Sequence, residues 1–173
     1  MHAYFGKNIT GTNHENLIHP GGRQILLAPP QASGAADASP PQFSSHQVSD
    51  IYSGPTAKPR LLTKKDREFG SRLREAAAQH VNFAGHFVVA TWGCGASCIM
   101  GAILDARSGK VTWLPFIICC GDYDSAMPVD FRPDSALIVF KGMRNEQGPG
   151  GTYYYVYERD KLKLLAEQPQ PAN

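Results

Sequence analysis

The stretch "HFVVATWGCGASCIMGAILDARSGKVTWLPFII", residues 86–118, decides the fold. Three segments in it, 86–92, 98–106 and 110–118, are rich in β-branched and aromatic residues and separated by turn signals, the pattern of consecutive strands. "DARSGK" (105–110) reads as a hairpin turn. Gly109 supplies a positive φ there, and the Asp105 side chain caps the turn. A turn centred on Arg107-Ser108 sets residue i of the second strand opposite residue 215 − i of the third. Residues 86–92 show little alternation of apolar and polar positions. The central strands are therefore expected to be covered on both faces.

Working outward, "SALIVFKGM" (135–143), "TYYYVYE" (152–158) and "KLKLLA" (161–166) continue the strand pattern. "FRPDSA" is a turn with Pro133 in its second position, and "ERDK" is a tight hairpin. Upstream, residues 63–80 predict one helix. Thr63 and Asp66 form a capping box, and Phe69, Leu73, Ala76 and Ala77 make a narrow apolar face. Glu68 and Arg72 are spaced to pair on its exposed side. Residues 46–60 carry Pro55 and Pro59 and read as an extended arm, with Ile51 and Tyr52 on the domain edge. The expected fold class is α+β: one N-terminal helix packed on a mainly antiparallel, roughly six-stranded meander sheet.

Residues 1–45 differ from the rest. "APPQASGAADASPPQ" is rich in Ala, Pro and Ser and holds no lasting periodicity. A segment of this kind buries too little apolar surface to offset the cost of ordering its backbone. The organisation read from the sequence is a disordered leader over 1–45, one globular domain over 46–168, and a short tail over 169–173. "NIT" at Asn8–Thr10 is a formal glycosylation sequon of a kind common by chance. His2, His14 and His19 read as solvated loop residues.

The 173 residues suffice for one domain with its own core. A net charge of +2, spread without a stripe, argues against nucleic acid and anionic membranes as partners. No apolar run approaches the ~20 residues of a membrane-spanning helix. Ile25–Ala28 is shorter than the roughly 7–15 residues of a signal-peptide core, so the chain is expected to carry no complete export signal.

Four cysteines, Cys94, Cys98, Cys119 and Cys120, allow three readings. As a metal site they fit poorly, because the first pair is spaced C-x3-C and the second is adjacent, whereas zinc knuckles use C-x2-C or C-x4-C. As a nucleophile, Cys94 or Cys98 would need His86 as its base; "CGASC" only superficially matches the papain-like thiol loop, which lacks the extra residue. As disulfides, the hairpin register places Cys98 opposite about position 117 and Cys94 opposite about 121, so all four sulfurs converge at one end. Two bridges between the pairs are then expected, each worth roughly 3 kcal/mol for ~20–26-residue loops. Two such bonds imply an oxidising compartment.

"NFAGHFVVATWGCGASCIMGAILDARSGKVTWLPF", "DFRPDSALIVFKG" and "GTYYYVYERDKLKLL" together resemble a group of small, uncharacterised, exported proteobacterial proteins. Asn82–His86, Trp92–Gly95, Cys98 and the Cys119-Cys120 pair carry the likeness. The resemblance implies a periplasmic or secreted setting and supplies no activity.

Tyr153, Tyr155 and Tyr157 share one strand face. They form either an aromatic binding strip rimmed by Arg144 and Glu146, or a cross-strand ladder packed on the helix. The preceding glycine-rich "GPGG" lacks the Lys-Ser/Thr of a phosphate loop. Asp122, Asp124 and Asp130 lack the twelve-residue loop of an EF-hand. Trp92 and Trp113 read as core or cysteine-packing residues. The function expected is a non-catalytic, disulfide-stabilised, exported binding domain. Its partner would be a protein, in the manner of an inhibitor or immunity factor, and no cofactor is expected. A cysteine hydrolase using Cys94 or Cys98 with His86 stands second, and a metal-binding domain third.

Overall fold

Short turns in the second half of the chain allow most strands to pair with a sequence neighbour. The computed structural model describes residues 39–119 and 128–170. Eight strands make one antiparallel sheet: β1 (Phe87–Gly95), β2 (Cys98–Asp105), β3 (Val111–Trp113), β4 (Ile118–Cys119), β5 (Val129–Phe131), β6 (Leu137–Arg144), β7 (Gln147–Glu158) and β8 (Lys161–Pro169). The continuous path is β1-β2-β4-β6-β7-β8, with β3 beside β2 and β5 beside β6. All pairings are antiparallel.

This corrects the expected class. The described chain is close to all-β, with eight strands and only short helical pieces, rather than one long helix on six strands. The 63–80 helix breaks at Phe69 into α1 (Lys64–Glu68) and α2 (Gly70–Ala77). Phe69 leaves helical geometry (φ −98°, ψ 20°). Its ring lies 5.7 Å from Trp92 and 5.4 Å from Trp113. Docking onto two indoles outweighs the modest helix propensity of one aromatic residue. The start is as expected: Asp66 N–H donates to Thr63 Oγ1 at 3.1 Å, and Thr63 N–H to Asp66 Oδ2 at 2.7 Å. The exposed pair is Arg72–Glu75 rather than Glu68–Arg72.

Two further differences raise the strand number. Residues 110–118 are interrupted around Pro115, which has no N–H to give a ladder, and this separates β3 from β4. The short β5 lies just before the "FRPDSA" turn. In addition, the glycine-rich stretch is strand rather than loop. β7 begins at Gln147, after a two-residue turn in which Asn145 and Glu146 both take positive φ (54° and 56°). Arg159 and Asp160 do the same between β7 and β8 (48° and 60°).

The central hairpin is as read. Ala102 faces Trp113, Ile103 faces Thr112 and Leu104 faces Val111, the 215 − i register. Asp105 Oδ1 accepts from Arg107 N–H at 2.8 Å, and Gly109 sits at φ +73°. Both faces of β2 and of the first half of β1 are covered. Val88, Ala90 and Leu104 pack with Ala76 of α2. Val89 and Ile103 join the main core with Phe83, Ile118, Phe140 and the three tyrosines.

Before α1, a 3-10 turn (Phe43–His46) is tied to the sheet: the buried Ser135 hydroxyl donates to the carbonyls of Phe43 (3.0 Å) and His46 (3.2 Å). The extended arm then runs along the loop end of the β1–β3 hairpins through Tyr52 N–H to Gly85 O, Ala57 N–H to Ala106 O and Arg60 N–H to Gly109 O. Residues 1–38 of the expected 1–45 leader, with its sequon and histidines, lie outside the described residues. So do Cys120, Asp122, Asp124 and the last three residues.

Candidate functional site

Peptide groups in an antiparallel strand alternate, one residue turning toward one neighbour and the next toward the other. Along β1, His86 O and the even positions face β2. Phe87 and the odd positions face away, along the sheet's outer edge. That edge is closed at first. Phe87 N–H donates to Phe83 O at 2.9 Å, and Phe87 O accepts from Asn82 N–H and Phe83 N–H at 3.1 Å. At the next odd position the Asn82 carboxamide acts as a substitute strand. Its Oδ1 accepts from Val89 N–H at 2.8 Å, and its Nδ2 donates to Val89 O at 3.1 Å.

Beyond Asn82 the edge opens. Thr91 and Gly93 are exposed, point the same way, and have no backbone partner among the described residues. A groove of about 250 Å³ opens beside Thr91. Arg72 and Glu75 of α2, with Gln79 just beyond its end, line it together with Asn82, Trp92 and Phe131. Trp92 belongs to a three-ring cluster with Phe69 and Trp113, its centroid 5.8 Å from that of Trp113 and edge-on to it. Its Nε1–H is buried with no acceptor among the described residues.

Asp66 anchors this cluster to the cap of α1. It is 4% exposed, and Trp113 Nε1 donates to its Oδ1 at 2.8 Å. Burial pushes the carboxyl upward. Hydrogen bonds from the Thr63 backbone, the Trp113 indole and the Thr63 hydroxyl outweigh it and hold the group below its ordinary value. Lys65 Nζ lies 4.1 Å above the Trp113 ring.

The far end of the open edge is fastened by a disulfide between Cys94 and Cys98, Cα atoms 5.2 Å apart. This corrects the expected bridges from this pair to Cys119 and Cys120. Cys94 is the extra residue of a bulge between the rungs Gly93–Ile99 and Gly95–Cys98, which brings it beside Cys98. Four residues, 114–117, also separate the Ala102–Trp113 rung from Ile99–Ile118, against two on β2, 100 and 101. The register thereby slips by two, and Cys119 rather than position 117 faces Cys98. Cys119 is buried.

The other sequence candidates are placed as follows. His86 precedes the first residue of β1, and Cys94 lies eight residues on. At ~3.3 Å per residue they are roughly 25 Å apart, beyond any proton transfer. The His86 ring stacks on Phe87 at 4.0 Å. Burial and the nearby Arg107 lower its pKa, against the opposing pull of Asp105 and Asp50. Tyr153, Tyr155 and Tyr157 are each 6% exposed and lie in the main core, on the sheet face away from α2, so they form no open strip. Arg144 closes over them: its guanidinium carbon is 3.9 Å from the Tyr153 centroid, and it donates to Tyr155 Oη at 2.7 Å and to Glu167 at 3.2 Å. Burial pushes the Tyr157 phenol up to about 12. Glu146 is an exposed turn residue. Asp130 is exposed on β5.

Among the described residues no three His, Cys, Asp or Glu side chains gather to hold a metal ion. None of the helices there is long and apolar enough to cross a membrane. Comparison with family models, curated proteins and solved structures finds no match for this chain.

Proposed function

We propose that this chain is an exported, disulfide-stabilised domain that binds a protein partner and performs no chemistry of its own, in the manner of an inhibitor or immunity factor. One observation carries the reading: the Thr91–Gly93 stretch of an edge strand, which no described backbone pairs on its outer side, with a groove beside Thr91 and a disulfide just past Gly93. The opposite edge sharpens the contrast. β8 carries Lys161 and Lys163, a bulge at Leu165 and a terminal Pro169, the usual protections of an edge against unwanted pairing. Beside so guarded an edge, an unguarded one reads as reserved for a partner. The Cys94–Cys98 bond supports a periplasmic or secreted setting, since disulfides persist in oxidising compartments. The resemblance to exported proteobacterial proteins points the same way.

A photo-reactive phenylalanine analogue placed at Thr91, and in a second protein at Lys163, tests this in the native periplasm. A discrete cross-linked protein from position 91 and none from position 163 is the expected result. Cross-linking from 163 alone moves the site to β8, and none from either position overturns the binding reading.

A further inference from the structure

The bond pattern at the open edge specifies more than a generic partner. Asn82 exchanges both an N–H and a C=O with the same residue, Val89. That closed pair of bonds is the hydrogen-bonded rung of an antiparallel ladder, drawn with a side chain in place of a backbone. Phe83 and Phe87 form an antiparallel bridge one step earlier. The next two rungs on the same edge belong to Thr91 and Gly93.

We infer that the partner contributes a short extended segment that adds to β1 as an antiparallel strand. This rests on the binding reading above. One residue of the segment exchanges hydrogen bonds with Gly93, and the residue two positions later exchanges them with Thr91, so the segment runs from the disulfide toward Asn82. The Asn82 carboxamide already occupies the following rung. The paired length is therefore about three to five residues, and a longer strand gains no further rung. Groups that turn both an N–H and a C=O toward an edge every second residue are matched by another extended backbone.

The groove constrains the side chains. Its two charged groups, Arg72 and Glu75, neutralise each other at 3.1 Å. The remaining lining residues, Trp92, Gln79, Asn82 and Phe131 among them, are uncharged. A segment with an uncharged side chain at its centre suits such a pocket, because a charge there would lose water without gaining an unpaired partner. The disulfide pre-forms the edge: it pins the last rungs of β1 on β2, so little conformational freedom is lost when the segment docks.

The test uses the full oxidised chain and a displayed library of random nonapeptides. Selected peptides are expected to slow amide exchange at Thr91 and Gly93, and not along β8. N-methylation at alternate peptide residues should abolish binding while methylation at the intervening residues is tolerated. Gly93→Pro removes one outward donor without touching the β1–β2 ladder and should weaken binding about tenfold or more. Lys163→Ala, exposed on the opposite edge strand β8, should bind as the parent does.

Peptides that bind without protecting Thr91 and Gly93, or that tolerate methylation at every position, overturn strand addition and leave the binding reading standing. A library that yields no binder overturns strand addition too, and the cross-linking experiment then decides separately whether a partner binds at all. A chain found dimeric, with both amides already protected before peptide is added, assigns the edge to a second copy and overturns the partner segment.

Discussion

Replacing both Cys94 and Cys98 by serine removes the staple and leaves no odd thiol behind. The bond closes a loop of only five residues, Cys94 to Cys98. In the chain-entropy model a loop of that size is worth about 2 kcal/mol at room temperature. At about 3 °C per kcal/mol for a chain of this length, the thermal midpoint should fall by about 6 °C. Bridges from these cysteines to Cys119 and Cys120, closing ~20–26-residue loops, would instead be worth roughly 3 kcal/mol each, and losing both would cost about three times as much. The location of the effect discriminates as sharply as its size. The bond holds the tip, so amide exchange should quicken at Trp92 and Met100, which face each other near the end of β1 and β2. Val88 and Leu104, buried under α2, should stay protected. Scanning calorimetry and amide exchange on the double variant provide both readouts, and non-reducing peptide mapping checks the connectivity directly. A loss near 6 kcal/mol, quickened exchange throughout the sheet, or a peptide linking Cys94 or Cys98 to Cys119 or Cys120 would refute the reasoning.

Asp66→Asn keeps the shape but sets an NH2 group against either Thr63 N–H or Trp113 Nε1–H, and should cost about 1–3 kcal/mol. In a double-mutant cycle with Trp113→Phe, which removes one of those donors, urea unfolding should give a coupling energy of about 1 kcal/mol, and additive effects would contradict the assigned bonds. Asn82→Ala deletes both bonds to Val89 and should cost about 1–2 kcal/mol; it also lengthens the open edge by one rung, so light scattering should detect concentration-dependent association that the parent lacks. His86 titrates below its ordinary 6.5 in the folded state, so the unfolded chain binds more protons in the window just beneath that value, and stability should fall as pH drops through it. His86→Gln should flatten that part of the urea-midpoint profile, and an unchanged slope would remove His86 as its source. The Asp66 carboxyl lies below its ordinary 3.8, so its stabilisation is complete above that pH and is lost as pH falls through the lower folded value. Acid unfolding of Asp66→Asn should lack that component.

What the sequence disclosed was local. Asp105 and Gly109 bracket a turn whose geometry sets the register of the strands on either side, so the pairing from Ala102–Trp113 to Leu104–Val111 could be read by counting. Thr63 and Asp66 lie three residues apart and cap α1 within one turn. Leu73 and Ala76 announce the face that α2 buries. Each inference stopped where a distant residue intervened. Phe69 fits a helix on spacing alone, but two indoles from β1 and β3 draw it out of one. Pro115 could have divided residues 110–118 in advance, since it breaks a ladder wherever it sits inside a strand. The Asn145-Glu146 turn gave no glycine signal, and the glycines just after it belong to a strand.

The candidate site was less legible still, for a reason that lies in sheet order. A strand's sequence reports which of its faces is buried, because side chains alternate across the sheet, but it is silent on whether the backbone groups along its flank find a neighbour. That depends on which strand comes to lie beside it. Here the flank of β1 is filled by a loop and a carboxamide as far as Val89 and by no described backbone beyond it. Asn82 carries no strand signal in the sequence, and it lies seven residues from Val89, whose rung it completes. The cysteines illustrate the same limit: four thiols near one hairpin end were evident, yet a one-residue bulge at Cys94 and a two-residue slip at Pro115 decided which sulfurs met. The proposed function rests on a hydrogen-bonding edge that no described residue fills. It becomes visible only after every strand has been assigned its neighbours and the remaining donors and acceptors are followed one by one.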